Sequence, residues 1–365
     1  MTDAAGSTQG PPGIGPDEEA RELVEELVSI PSPSGAEDEC AAALAAYLEE
    51  RGREVYRDDA GNVRAPADDA VLFTSHVDTV PGDIPVRVEE TESENETEDG
   101  SLLWGRGSVD AKGPLAALAV AAVRTGVSFV GVVGEEVDSR GARHLVEDRE
   151  VPDAVVNGEP SGWDGITLGY RGILSGTYVA TSESGHTSRP ENNAIQDAIS
   201  WWSAVEQRFA AETDSYEPVF ERVTPKPVAI DGGTSDDGLA VEATLEIQLR
   251  VPPRYTTDEV RELADAELEA GTVHWHDAIE PTVQSPRTEV ARAFRVAIRE
   301  QGGDPRLLRK TGTADMNLYA GAWDCPMVTY GPGDSSLDHA PDERLDLAEL
   351  DRAVAVLESV GEALQ

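Results

Sequence analysis

A chain of 365 residues, 39% of them hydrophobic, holds material for more than one ordinary core and has no apolar run near the ~20 residues of a membrane span. Aspartate and glutamate total 71 against 29 lysines and arginines, a net charge of −42. Such a field repels phosphate backbones, which argues against nucleic-acid binding.

The acid is spread along the whole chain, and only Lys112, Lys226 and Lys310 are lysines. This balance fits a halophilic protein of a salt-saturated cytoplasm, where the Debye length falls to ~3 Å or less and self-repulsion is screened. In dilute buffer the chain is expected to unfold in part. Thermal melts across a salt series test this, and a melting temperature indifferent to salt contradicts it. Cys40 and Cys325 lie far apart with no metal-binding spacing, as suits a reducing interior. The N-terminus lacks the basic and apolar regions of a secretion signal, so a cytoplasmic location is expected.

In chain order, residues 1–16 are rich in Gly, Pro and Ser and read as a disordered tail. Amphipathic helices are expected over 17–29 and 37–51, split by Pro-Ser-Pro-Ser-Gly at 31–35. Residues 71–75 form a short apolar strand running into His76, Val77 and Asp78. The two-residue period puts His76 and Asp78 on one face, where Asp78 can brace the second imidazole nitrogen, as metal-bound histidines require. The nearly continuous acidic run at 89–100 reads as a solvated hairpin tip or insertion without a chemical role.

Gly-Arg-Gly-Ser-Val-Asp-Ala-Lys-Gly at 105–113 opens into strong helix formers at 114–123, with a proline in the first turn. Asp110 therefore sits on a glycine-rich turn just before a helix. A phosphate-binding loop is disfavoured, because Lys112 is followed by Gly113 and not by Ser or Thr. A buried strand at 128–134 ends at Glu135 and Glu136, and another at 154–157 ends at Gly158 and Glu159. If the first strand persists, Glu135 and Glu136 point opposite ways, so one can bind metal while the other works on water.

From 172 to 280 the texture changes to a strand (175–181), a helix (193–211), two alternating runs (226–231 and 239–250), a charged helix (257–270) and a last strand (272–279). That β-α-β-β-α-β order looks like a small ferredoxin-like α+β domain inserted into an α/β domain made of 17–171 and 281–365. The glycine-rich stretch 232–238 is the hairpin between its middle strands. Afterwards come a helix (288–301), Lys-Thr-Gly-Thr-Ala-Asp-Met-Asn at 310–317, a strand (327–330), a loop ending at His339, and a helix (347–364).

Gathered at strand ends and loops are His76, Asp78, Asp110, Glu135, Glu136, Glu159 and His339. Burying two imidazoles and five carboxylates is costly without a cation. One zinc usually takes three protein ligands and a water, so this set suits two metals bridged by a carboxylate and a hydroxide. His144 falls in a helical run and reads as a surface or packing residue. His274 and His276 share a strand face and read as solvated.

His76-Val-Asp78, the 105–113 segment, Gly134-Glu135-Glu136, Gly158-Glu159-Pro160, Ser184-Gly-His186 and the late His339 occur in an order that resembles the acetylornithine deacetylase/succinyl-diaminopimelate desuccinylase family of di-zinc amidohydrolases. The resemblance covers nearly all of residues 20–365. It implies one metal held by His76 and Glu159, another by Glu136 and His339, and Asp110 between them. Glu135 would be the general base and Asp78 the brace for His76. It further implies a homodimer through the lid, with the partner's His186 reaching the active site to stabilise the oxyanion. Zinc is the implied metal, with cobalt or manganese as alternatives.

Finer motifs at 110–116, 135–143, 158–163, 169–172, 310–317 and 330–335 are most similar to the archaeal and thermophile branch of that family. Its members release lysine or ornithine from the C-terminal glutamate side chain of an acidic amino-group carrier protein. The product half needs a cation for its α-carboxylate, for which Arg250 is the candidate, since a guanidinium binds a carboxylate bidentately. Asp315 either faces the terminal ammonium or caps a helix. The alternative substrates are free small molecules, as for an acetylornithine or acetyl-lysine deacetylase or a dipeptidase. A metal-free binding protein on the same fold would have lost metal ligands, and none is lost.

Overall fold

The computed structural model describes residues 15–91, 100–185, 188, 190–213 and 216–365. Most of the 1–16 tail, most of the acidic run and His186 therefore lie outside the described residues. The chain forms two compact units: Met1–Leu168 with Gln284–Leu308 and Ala322–Gln365, and Gly169–Val283 with Arg309–Gly321.

The first unit is built on a sheet ordered Tyr56–Arg57, Val63–Ala65, Ser128–Val132, Leu72–His76, Val155–Gly158, Met327–Thr329 and Gly165–Tyr170. Four of these strands, from Ser128–Val132 to Met327–Thr329, are mutually parallel, so their carboxyl ends share one edge. In open α/β sheets that edge is where ligands collect. The three central strands are buried throughout, as strands covered on both faces must be.

Beneath the sheet runs the helix Lys112–Thr125, buried at every position from Lys112 to Ala122 and ended by Gly126 in the left-handed conformation. Its alanines let the helices Glu18–Ser29 and Leu347–Leu364 approach it closely, and their apolar faces complete the core. Among the described residues no helix is long and apolar enough to cross a membrane.

A small second sheet, Arg344–Asp346 beside Ser101–Trp104 beside Arg87–Glu90, has a particular consequence. Trp104 precedes the 105–113 segment, Arg344 follows the His339 loop, and the two residues are register partners. Asp110 and His339, far apart in sequence, are thus delivered by adjacent strands.

The second unit has the expected β-α-β-β-α-β order, with strands Thr224–Thr234, Ala240–Val251, Gly172–Glu183 and Thr272–Ile279 side by side and antiparallel. Its helices Ala194–Ala211 and Thr257–Asp265 both start on capping boxes (Asn193 with Gln196, Thr256 with Glu259). Tyr178 stacks on Trp201 at 4.9 Å in its core. Residues 309–321, expected in the first domain, pack here instead. Buried Arg171 donates to the Thr311 carbonyl (2.8 Å), while Thr313 Oγ1 and Asn317 Nδ2 donate to the Arg171 carbonyl (2.9 and 3.2 Å). Buried carbonyls need donors, and this segment supplies them; periodicity carries no trace of such pairing.

Candidate metal centre

His76 closes the strand Leu72–His76, Glu159 directly follows Val155–Gly158, and Glu135 and Glu136 follow Ser128–Val132 after Val133 and Gly134. The parallel register brings all four to one edge. There they meet Asp110 and His339. His76 Nε2 lies 3.2 Å from Asp110 Oδ1 and 3.9 Å from Glu159 Oε1. His339 Nε2 lies 3.1 Å from Asp110 Oδ2 and 3.0 Å from Glu136 Oε2. Each carboxylate oxygen of Asp110 thus addresses a different imidazole. His76 is buried and His339 is half-exposed, so the cluster opens on the His339 side.

Asp78 meets His76 mainly through its main-chain carbonyl. The strand stops at His76, and His76 Nδ1 lies 2.9 Å from the Asp78 main-chain carbonyl but 3.6 Å from its carboxylate. A carbonyl only accepts, so this contact puts a proton on Nδ1 and leaves Nε2 facing Asp110. The fully buried Asp78 carboxylate instead accepts the backbone N–H groups of Glu135 (3.0 Å) and Glu136 (3.1 Å) and the Ser34 hydroxyl (2.6 Å). Burial works against its charge, but the bonds to His76, Ser34 and Glu136 outweigh it and pull Asp78 down to about 2.

Glu135 and Glu136 lie in a turn, since their strand ends at Val132, so strand alternation does not orient them. The turn depends on Gly134, whose φ of 76° is left-handed and whose absent Cβ would fall 2.2 Å from the Arg140 guanidinium. His339 also has a left-handed φ, 59°, uncommon for a residue with a side chain. The Asp110–Ala111 peptide is cis.

Three residues to which sequence reasoning gave no supporting role brace this region. Glu343 is fully buried; its Oε1 accepts the N–H groups of Val109 (2.9 Å) and Asp110 (3.1 Å), and its Oε2 pairs with Arg106 (2.8 Å). Arg106 also donates to the Ala340 carbonyl at 3.2 Å, next to His339. Lys112 is buried and donates to the carbonyls of Leu27 (2.9 Å) and Ile30 (2.7 Å), satisfying the end of the first helix. One more glutamate is invisible among 71 acids, but a lysine in so lysine-poor a chain is a signal that sequence alone offers.

Electrostatically the cluster is a trap for positive charge. Bonds to Asp110 and Glu136 outweigh burial and lift His339 to about 10. For His76, burial opposes the imidazolium, yet Asp110 and Asp78 hold it well above the ordinary histidine value. Burial alone would raise Asp110, but His339 and His76 keep it far below the usual carboxylate range. A field that draws a proton onto an imidazole also draws a divalent cation in its place.

The donor set fits such an ion. Atoms of His76, Asp110 and Glu136 lie within 4.8 Å of one another. Glu136 Oε1 is buried and has no hydrogen-bond partner among the described residues. An oxygen left so costs about 1–3 kcal/mol, and imidazole nitrogen with carboxylate oxygen is a zinc-type donor set.

Arg250 and Asp315 belong to the second unit, where Arg250 donates to Thr313 Oγ1 at 2.9 Å. Asp315 is buried and is the first residue of the helix Asp315–Ala322, not the residue before it. His144 Nε2 lies 3.9 Å from Asp58, and His276 Nε2 3.9 Å from Glu246.

A mixed α/β fold with acids and imidazoles converging at the carboxyl ends of parallel strands has the make-up of a divalent-metal enzyme. The chain matches Peptidase family M20/M25/M40 over residues 72–363 and belongs to that family. It is 44% identical to a [LysW]-lysine hydrolase of Deinococcus radiodurans, the match covering 93% of this chain and 95% of that one. It is 29% identical to a [LysW]-lysine/[LysW]-ornithine hydrolase of Sulfurisphaera tokodaii, over 90% of this chain and 91% of the other. Among solved structures it resembles an M20 family metallo-carboxypeptidase of Sulfolobus solfataricus (TM-score 0.74, 19% identity, 95% of this chain and 99% of that one), which speaks to the fold.

Proposed function

We propose that this protein hydrolyses the amide that joins lysine, ornithine or both to the C-terminal glutamate side chain of a LysW-type amino-group carrier protein, in lysine or arginine biosynthesis. The observation that carries hydrolysis is Asp110, whose two oxygens lie 3.2 and 3.1 Å from the imidazoles of His76 and His339. The carrier-bound substrate is supported by the relatives, which match this chain over nine-tenths of its length.

His76 and Glu159 would hold one divalent ion and Glu136 and His339 another, with Asp110 shared. Two such ions, zinc first and cobalt or manganese otherwise, supply a lowered water pKa and a polarised carbonyl. Glu135 accepts the proton of the attacking water and returns it to the amine nitrogen as the C–N bond breaks. Asp78 contributes by fixing the backbone of Glu135 and Glu136. Arg250 takes the α-carboxylate of the released amino acid and Asp315 its terminal ammonium.

Mass spectrometry of turnover tests the substrate. Lysine appears from the loaded carrier far faster than from N-acetyl-lysine; the opposite ranking moves the enzyme to free acylated amino acids.

The protein is further proposed to work as a cytoplasmic homodimer through the second unit, with His186 of the partner subunit stabilising the oxyanion. The edge strand Thr224–Thr234 is largely exposed and carries Val228 and Ile230 on its surface, the kind of edge that pairs with another chain. Light scattering in molar salt then gives twice the 38.9 kDa chain mass, and a monomer mass removes the dimer.

A further inference from the structure

Two arginines of the first unit are only partly satisfied, and both line one cavity. Arg64 lies on the strand Val63–Ala65 with its side chain 7% exposed. Its Nε donates to Asp58 at 2.6 Å and its Nη1 pairs with Asp148 at 2.8 Å. Its Nη2 is buried and has no hydrogen-bond partner among the described residues. Arg149 caps the end of the helix Arg140–Asp148. Its Nη2 pairs with Asp69, and its Nη1 is buried and equally unpartnered among the described residues.

The cavity between them has a volume of about 240 Å³, with Tyr56, Ala67 and Phe129 among its walls. Two guanidinium groups have thus given up water on one edge without a replacement acceptor, which leaves their desolvation uncompensated. The nearby acids do not supply that acceptor. Asp58 is already committed, since besides Arg64 it accepts the N–H groups of Ala60 (3.0 Å), Gly61 (3.1 Å) and Asn62 (3.0 Å). Asp69 and Asp148 are half-exposed and engage other nitrogens of the two arginines.

Water accepts from a guanidinium as well, but two cationic edges on one cavity favour an acceptor that carries charge, because charge-assisted bonds are about twice as strong as neutral ones. The planar fork of a guanidinium matches the oxygens of a carboxylate or phosphate. Asp69 and Glu150 also line the cavity, and the chain carries a net charge of −42. An extended polyanion is therefore repelled. A small anion is not, since molar salt screens the distant charges beyond ~3 Å.

We propose that Arg64 and Arg149 hold a small oxyanion, a carboxylate or phosphate group, at a site that shares no residue with the metal centre. Its placement gives it a mechanical role. Arg64 is the register partner of Val130, on the strand that leads into the Glu135–Glu136 turn, and Arg149 ends the helix that leaves that turn. An anion bound to both arginines ties together the two elements that frame the turn.

The probe is selenate, an oxyanion whose selenium is located by anomalous diffraction. In crystals of the zinc-loaded protein soaked in selenate, a selenium peak is expected within hydrogen-bond reach of Arg64 Nη2 and Arg149 Nη1. In solution, titration calorimetry at constant molar ionic strength follows selenate binding to the wild type, Arg149→Met, Ala67→Phe and Arg57→Met. The first variant removes one donor edge, and the second fills the cavity while keeping both arginines. Arg57, paired with Asp38 outside the cavity, serves as the charge control. Selenate bound at the zinc ions is common to all four proteins and cancels in the comparison.

Arg149→Met and Ala67→Phe are each expected to bind selenate about tenfold or more weakly, and Arg57→Met to bind it as the wild type does. Competition then separates the two sources: displacement of selenate at lower concentrations of phosphate than of acetate assigns the site to phosphate groups, and the reverse order to carboxylates. Water alone in the cavity overturns the site. So does a peak without saturable binding in solution (an adventitious ion only), equal affinity in all four proteins, or equal weakening in the control.

Discussion

Glu135→Ala retains its full metal complement and loses about 10²–10⁴-fold in kcat. The expectation follows from where the residue sits. Its backbone N–H is fixed by Asp78 at 3.0 Å, so its carboxylate hangs from an anchored turn beside the cluster. The contacts among His76, Asp110, Glu136 and His339 do not include it. Amide hydrolysis fails without proton delivery, because an amine anion is a very poor leaving group and the tetrahedral intermediate reverts. Metal analysis and steady-state kinetics on one preparation check both halves. Near-normal turnover removes Glu135 from the proton transfer, and lost metal moves it into the ligand set.

Asp110→Asn is expected to do the reverse, emptying the site first. Its two oxygens are the common partners of His76 and His339. An amide of the same shape presents one oxygen and one nitrogen and carries no charge. Outer partners of metal ligands already cost 10- to 100-fold in affinity when removed, so loss of the shared carboxylate should exceed about a hundredfold. Equilibrium dialysis reads this directly, with activity falling in step. Wild-type stoichiometry and affinity in this variant would mean that the aspartate is not shared by the metals.

Much of the architecture was legible in the chain. The alternation of apolar strands with helix-forming runs, and the switch of texture near residue 172, report the α/β unit and the antiparallel one because periodicity follows burial. The site residues could be named because each lies at a strand end or in a glycine-rich loop, where local sequence fixes position.

What escaped is what depends on long-range pairing. Asp78 serves the Glu135–Glu136 turn, 57 residues away, more closely than it serves the histidine two residues back. Glu343 supports Asp110 from 233 residues on. The attachment of 309–321 to Arg171 has no periodic signature. The strand expected over 128–134 stops at Val132, and Gly134 takes a left-handed conformation before the turn at 135–138, which composition permits without announcing.

The most direct measurement is anomalous diffraction from crystals grown with zinc in molar salt. Two peaks are predicted, one within coordinating reach of His76 and Glu159, the other of Glu136 and His339, with an oxygen of Asp110 on each. A single peak that ignores Asp110, or none at these five side chains, would contradict the shared-carboxylate site on which the proposed hydrolysis depends.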